Sequence, residues 1–360
     1  MLVLNDLHLG VRRTAGTTAE TSYNLRRHLQ ERYGDFLHLA NQSNEVIING
    51  DFFDTFNVPL EDVLEAFFTT AEWLQYGEKR HIYLLPGNHD LSKNSSEVGS
   101  FQLMAQLLAA HCPGQVTYLQ GSGWLDEARG VYAVSHVINQ AEFDEAIAGV
   151  PEQAKVVLLH CNYDSPFAEH SDHSLNLSRG QAKDIVGNGT TIIIAHEHHP
   201  RESFGGKVLI TGNQTPSSIA DCVTPDGKMH TKRAAVIDDA GVVSTVQTWQ
   251  PIDDDGFTDV KWGEIQRLQP ELAQFKGFIR ITGDAEPEES AGALRAVSQL
   301  RQQSKAFVVA NAIKVRQSDG VGDLAASVED VRSVNIVEML LETLSDEQAA
   351  VVRRVLKEGK

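Results

Sequence analysis

Short apolar runs that break off at a polar residue recur along the chain. Residues 1–4 lead to Asp6-Leu7-His8, 46–49 to Gly50-Asp51, and 82–85 to Pro86-Gly87-Asn88-His89-Asp90. Residues 156–159 lead to His160, and 192–194 to Ala195-His196-Glu197-His198. Runs this short, bounded by turn formers, predict buried strands. Five strand ends are therefore expected to bring Asp, Asn and His to one rim. Between them the apolar period becomes helical. Leu25, Leu29, Tyr33, Phe36, Leu37 and Ala40 predict a helix over about 21–41. Val63, Ala66, Phe67, Thr70 and Leu74 predict a second, with Pro59 at its start and Gly77 beyond its end. A third is expected over about 98–110.

Further strands are predicted at 116–119, 131–135, 207–211, 233–238 and 242–249, with helices at about 140–148 and 178–186. Strands alternating with helices, then crowding together, imply an α/β fold with packed sheets inside and helices outside. The acidic turn 251–256 marks a boundary. Beyond it, strand 276–282, helix 287–303 and strand 306–315 form a small α+β unit. A glycine-containing linker, 318–323, precedes two predicted helices, the second opened by a capping box at Ser345 and Gln348. A helical pair this short must dock on its own chain or on a partner. The expected organisation is 1–252, 256–317 and 324–360.

Composition adds bounds. The 360 residues hold 31 Lys+Arg against 49 Asp+Glu, a net charge of -18 that argues against passive, non-specific nucleic-acid binding. No apolar run is long enough for a membrane span, and no signal peptide is expected at the N-terminus. Cys112, Cys161 and Cys222 lack metal-like spacing and read as reduced thiols of a cytoplasmic protein.

The rim residues carry the chemistry. Asp6, His8, Asp51, Asn88, His160, His196 and His198 offer seven O/N donors, too many for one octahedral ion. A mixture of carboxylate, amide and imidazole suits Mn²⁺, Fe²⁺ or Zn²⁺. Two ions can clamp an in-line displacement at phosphorus and lower the pKa of a bridging water. Two divalent ions outweigh Asp6 and Asp51, so the cluster stays attractive to a phosphodiester despite the acidic chain. His89 could donate a proton to the leaving oxygen or stabilise developing charge.

As an ordered set, Asp6-Leu7-His8, Gly50-Asp51-Phe52-Phe53-Asp54, Gly87-Asn88-His89-Asp90, His160 and His196-Glu197-His198 resemble the calcineurin-like metallophosphoesterase motifs over roughly residues 1–250. The resemblance implies a layered β-sandwich flanked by helices. It implies one metal on Asp6, His8, Asp51 and His198, and another on Asp51, Asn88, His160 and His196, with Asp51 bridging and His89 catalytic. Within the superfamily the chain looks most like SbcD-type nuclease subunits, and it is similar in size and layout to recombination endonuclease subunits encoded by phages. That likeness implies Mn²⁺, DNA as substrate, 3′–5′ exonuclease and endonuclease activity in recombination and repair, a homodimer, and an SbcC-like SMC-family ATPase bound by the C-terminal helical pair. Ala195 stands where relatives carry Gly, Cys161-Asn162-Tyr163 follows His160 where many carry other residues, and Thr211 to Ser217 replaces a Pro-Gly-Ser stretch. None of these removes a ligand.

Lesser residues keep open readings. Asp54 either orients a ligand or the DNA backbone, or caps its turn. Asp90 is expected to support its loop. Asn162 and Tyr163 either line the cleft or pack. His170, Asp172 and His173 read as a polar loop beside the site rather than a third metal site. The rival readings are a phosphoesterase acting on small molecules or phosphoproteins, and an architectural subunit with a dead site; seven intact ligand positions count against the latter.

Overall fold

The computed structural model describes residues 1–77, 79–92, 97–165, 175–224 and 226–316. Two six-stranded mixed sheets lie face to face. The first runs, in order, Val243–Trp249, Lys232–Ile237, Leu2–Leu4, Glu45–Asn49, His81–Leu85 and Val116–Tyr118. Its last four strands are parallel, joined through the helices Ala19–Leu39, Leu60–Gln75 and Ser100–His111. The second runs Arg201–Ser203, Val208–Ile210, Thr191–Ala195, Val156–His160, Val131–Val134 and Ser122–Asp126, with four parallel strands at its centre.

Alternation along each strand sorts the layers. Val3, Ile47, Tyr83 and Leu85 of the first sheet meet Val131, Val156, Leu158 and Ile193 of the second. The intervening Leu2, Leu4, Val46, Ile48, Ile82 and Leu84 pack outward on Leu25, Leu29, Phe36, Val63 and Leu74. Val157, Leu159, Ile192 and Ile194 likewise cover Phe143, Ile147, Ala182 and Ile185 of the helices Gln140–Ala148 and Arg179–Gly187. The result is helix, sheet, sheet, helix. Parallel strands buried on both faces show little polar alternation, which is why they stand out in the sequence as plain apolar runs.

The first helix starts two residues earlier than its apolar period suggests. Thr18 accepts the amide of Thr21 at 3.1 Å, and Thr21 Oγ1 accepts the amide of Thr18 at 2.9 Å, closing a capping box. Among the described residues, no helix is long and apolar enough to cross a membrane.

The unit after residue 256 is larger than its sequence pattern implies. Phe257–Lys261 pairs parallel with Phe278–Thr282, which pairs with Val308–Asn311, and the helices Ile265–Gln274 and Ser290–Gln303 cover this sheet. The first strand and first helix escaped the pattern because the strand is short and half polar, and because Pro270 inside the helix reads as a break. Phe257, Phe278, Phe307 and Val308 enter the same apolar core as Leu25 and Leu29. Val309 N–H donates to the carbonyl of Gly16 at 2.8 Å, so the unit is docked on the loop that follows His8. The expected C-terminal helical pair and the His170, Asp172 and His173 cluster lie outside the described residues.

Candidate metal centre

Parallel strands all point the same way, so their carboxyl ends share one edge, where α/β sheets gather ligands. Asp6, His8, Asp51, Asn88 and His89 leave the first sheet there. His160, His196 and His198 leave the second. The two sheets are pinned across this edge. Asn49 Nδ2 donates to the carbonyl of Leu159 at 3.2 Å, and His160 Nδ1–H donates to the carbonyl of Asn49 at 3.1 Å. The amide of His196 donates to Asp6 Oδ2 at 3.0 Å.

The rim residues separate into two groups able to hold an ion each: Asp6, His8 and His198, and Asp51, His160 and His196. In the first, His8 Nε2 and His198 Nε2 stand 3.0 Å apart. In the second, Asn88 Oδ1 lies 3.0 Å from His160 Nε2 and 2.8 Å from His196 Nδ1, while Asp51 Oδ2 is 3.4 Å from His160 Nε2. Asp51 Oδ1 accepts the amide of His89 at 2.9 Å.

Backbone strain concentrates at the same place. Among the described residues eight non-glycine residues have positive φ, and four of them are Asp6 (50°), His8 (48°), Asp51 (47°) and His196 (89°). Each such residue costs on the order of 1–3 kcal/mol and persists only where its surroundings impose it. Close approach is equally costly to change. A Cβ on Gly50, at φ 87°, would meet His160 Nδ1, and one on Gly87 would meet Asp51 Oδ1. Both glycines are required for strand ends to crowd this tightly.

The electrostatics suit a cation. Burial, and then the neighbouring His198, pushes the His8 imidazole down to about 3; burial and His160 push His196 down to about 4. Both rings therefore offer bare nitrogen lone pairs at neutral pH, as ligation requires. Burial, with Asp51 adding to it, raises the Asp6 carboxyl to about 6. Burial would raise Asp51 as well, but His160 outweighs it and holds this carboxyl well below the usual range. Two carboxylates with no exposure above 1% and no lysine or arginine within salt-bridge reach form a donor set that fits divalent metal ions.

The remaining expected residues fall around this centre. His89 Nδ1–H donates to the carbonyl of Asp54 at 2.5 Å, which leaves Nε2 facing the site, 3.9 Å from Asp51 Oδ2, on a ring that is 40% exposed. The Asp54 carboxylate lies 3.5 Å from His8 Nδ1 and 4.0 Å from Arg13. Asp90 is buried and accepts amides from Gly87, Phe52 and Phe53, tying two ligand loops together, and burial followed by repulsion from Asp51 raises it to about 7. Asn162 donates to the carbonyl of Leu175 and the buried Tyr163 places its hydroxyl on Ser203, while both also line a cleft that opens beside His198. Glu197 turns away from the centre to the amide of Tyr163 and to Arg201.

Asp221 was not legible in the sequence. Its Oδ1 accepts from His198 Nδ1 at 2.7 Å. No motif marks it, because it reaches His198 through a four-residue helix 23 positions away. His136, at a further strand end, also lies beside His160, with ring centroids 6.1 Å apart.

The calcineurin-like phosphoesterase family profile matches residues 1–215. The chain belongs to that family. It is thus a metal-dependent phosphoesterase, a hydrolase with two candidate His/Asp metal sites, consistent with a binuclear centre. The crystal structure of Pseudomonas putida nuclease MPE is similar at 14% identity, covering 68% of this chain and 86% of that one, with a TM-score of 0.25. No curated protein matches the chain.

Proposed function

We propose that this phosphoesterase is a DNA phosphodiesterase, an exonuclease and endonuclease subunit of the SbcD type that works with an SbcC-like ATPase in end processing, recombination and repair. The observation that carries the hydrolytic reading is the meeting of the two groups, Asp6/His8/His198 and Asp51/His160/His196, at one strand edge. Asp6, His8 and His198 would hold one ion and His160, His196 and Asn88 the other, with Asp51 between them; Mn²⁺ is the expected metal. When bound, the two ions would supply Lewis acidity and a more acidic water.

The chain's own groups do the rest. Asp54 fixes the His89 ring through its carbonyl, so that Nε2 can hold a proton and release it to a leaving oxygen. The amide of His89 holds Asp51 in place, coupling the proton donor to the shared carboxylate. The Asp90 contacts keep both loops in register.

Three features support a polymeric substrate. A groove lined by Arg12, Arg13, Arg26 and Tyr23 lies on the loop and helix that follow His8 in the chain. The unit after residue 256 docks on the same loop. The stretch Asp6-Leu7-His8-Leu9-Gly10, followed by a polar loop and a long helix, resembles the SbcD branch. The proposed homodimer would use the exposed stripe of Leu60, Leu64 and Phe68, beside Leu103 and Leu107 on the adjoining helix.

The test incubates the full chain with Mn²⁺ and linear or hairpin DNA, alone and with the ATPase, beside His89→Ala. Cleavage that His89→Ala reduces by about 10²–10⁴-fold is expected. Turnover of phosphomonoesters with no DNA cleavage in either setting would refute the nuclease reading. Deleting 324–360 should abolish ATPase binding, and Phe68→Glu should yield monomers by sedimentation; unchanged assembly would remove those partners.

A further inference from the structure

We propose that Asp221 is a positioning residue that fixes the tautomer of His198, so that Nε2 rather than Nδ1 is presented to the metal. This rests on the metal-centre reading above and deepens it.

Asp221 is carried on the short helix Ile219–Cys222 and is 3% exposed. Its two oxygens are divided between two jobs. Oδ1 accepts His198 Nδ1–H at 2.7 Å, while Oδ2 accepts the amide of Ser217 at 2.8 Å and its hydroxyl at 3.1 Å. An imidazole whose Nδ1 proton is committed in this way must show a bare lone pair at Nε2. Nε2 is the atom that stands 3.0 Å from His8 Nε2.

The support continues outward. Arg13 donates to the Ser217 carbonyl at 3.2 Å and to its hydroxyl oxygen at 3.0 Å, and lies 4.0 Å from Asp54. Asp54 in turn lies 3.5 Å from His8. His198 is thus tied, through Asp221 and Ser217, to a guanidinium that also lies near Asp54. From behind, the wholly buried Lys232 donates to the backbone carbonyl of His198 at 2.6 Å. A buried ammonium needs a countercharge, and Asp221 is the carboxylate that acts on it most strongly. The helix is held by its own packing: Cys222 and Val223 share a core with Phe278 and Phe307 of the following unit.

Asp221→Asn gives a sharp test. The Ser217 amide can only donate, so the Asn oxygen must take the place of Oδ2. The Asn NH₂ then faces His198 Nδ1 and forces the ring proton onto Nε2, the atom the metal needs. The full chain is titrated with Mn²⁺ by calorimetry, and Co²⁺ absorption spectra are recorded in parallel. Wild type should take two ions. Asp221→Asn should keep one at wild-type affinity, weaken the other by about 10–100-fold and lose one set of Co²⁺ bands, and Asp221→Glu should recover part of the loss. If Asp221→Asn does not fold, Ser217→Ala serves, since it keeps the backbone bond and removes only the hydroxyl; it should weaken the same ion several-fold. Two ions bound at wild-type affinity in every variant that folds would overturn the proposal. A wild type that takes up no Mn²⁺ would overturn the metal reading and this proposal with it.

Discussion

The two halves of the metal centre draw on the same residue types but are backed differently. In the Asp6/His8/His198 group each imidazole has a carboxylate at its far nitrogen: Asp221 at 2.7 Å from His198 and Asp54 at 3.5 Å from His8. In the Asp51/His160/His196 group, His160 leans on the backbone carbonyl of Asn49, and His196 Nδ1 faces the neutral Asn88. A carboxylate behind an imidazole makes it a more basic ligand. The hydrogen-bonded pair of His198 and Asp221 would therefore favour retention in the first group. The second adds a neutral amide, and the carboxylate nearest a far nitrogen, Asp6 at 3.9 Å from His160 Nδ1, lies beyond hydrogen-bond reach, so its ion would be held less tightly. Asp51 is the element proposed to be common to both.

The largest break in this asymmetry comes from the shared residue. Asp51→Asn is expected to weaken both ions together, each by more than the roughly 100-fold that loss of an orienting partner alone can cost. Equilibrium dialysis against Mn²⁺ measures it. Loss of a single ion would show that Asp51 serves one group only. Asn88→Ala should act on one side. Its oxygen touches His160 and His196 and neither ring of the first group, so one ion should weaken by at least the roughly 10–100-fold that loss of an orienting partner costs, while the other binds as in wild type. Equal weakening of both ions would contradict the division drawn here.

Most of this site could be read in advance because a parallel strand prints its ending in the sequence. The run 156–159 followed by His160, or 192–194 followed by His196 and His198, needs no tertiary information to be noticed. The helix, sheet, sheet, helix layering follows from the same runs together with the 3.6-residue period of helix Ala19–Leu39. What escaped notice depends on contacts across long stretches of chain. Arg13 meets Ser217 across 204 positions, and Asp221 meets His198 out of a segment whose polar pattern suggests only turns. Strand Phe257–Lys261 was hidden by its three exposed or half-exposed polar residues, and the helix after it by Pro270. The strained backbone at Asp6, His8, Asp51 and His196 could not be foreseen either, since aspartate and histidine, though enriched at positive φ, adopt it too rarely to mark a position. It follows from forcing five strand ends to converge on one point.

The smallest effect, and the one that tests the electrostatics of the second group, is with pH. Burial alone would lower the His160 imidazole, yet the Asp51 carboxylate 3.4 Å from Nε2 outweighs burial and raises it to about 9. Without metal, His160 thus carries a proton at pH 7, although ligation needs Nε2 bare. Uptake of the second ion must expel that proton. The sign follows directly: below about 9 the affinity should rise about tenfold for each unit of increasing pH, and above it the dependence should vanish. His196, already pushed down to about 4, contributes no proton in this range. Calorimetry in buffers of different ionisation enthalpy counts the protons released. One proton per weaker ion at pH 7, absent above 9, is the expected result, and Asn88→Ala identifies which binding event carries it. No release at pH 7 would mean that Asp51 does not hold His160 charged, and the second group would then be as ready for its metal as the first.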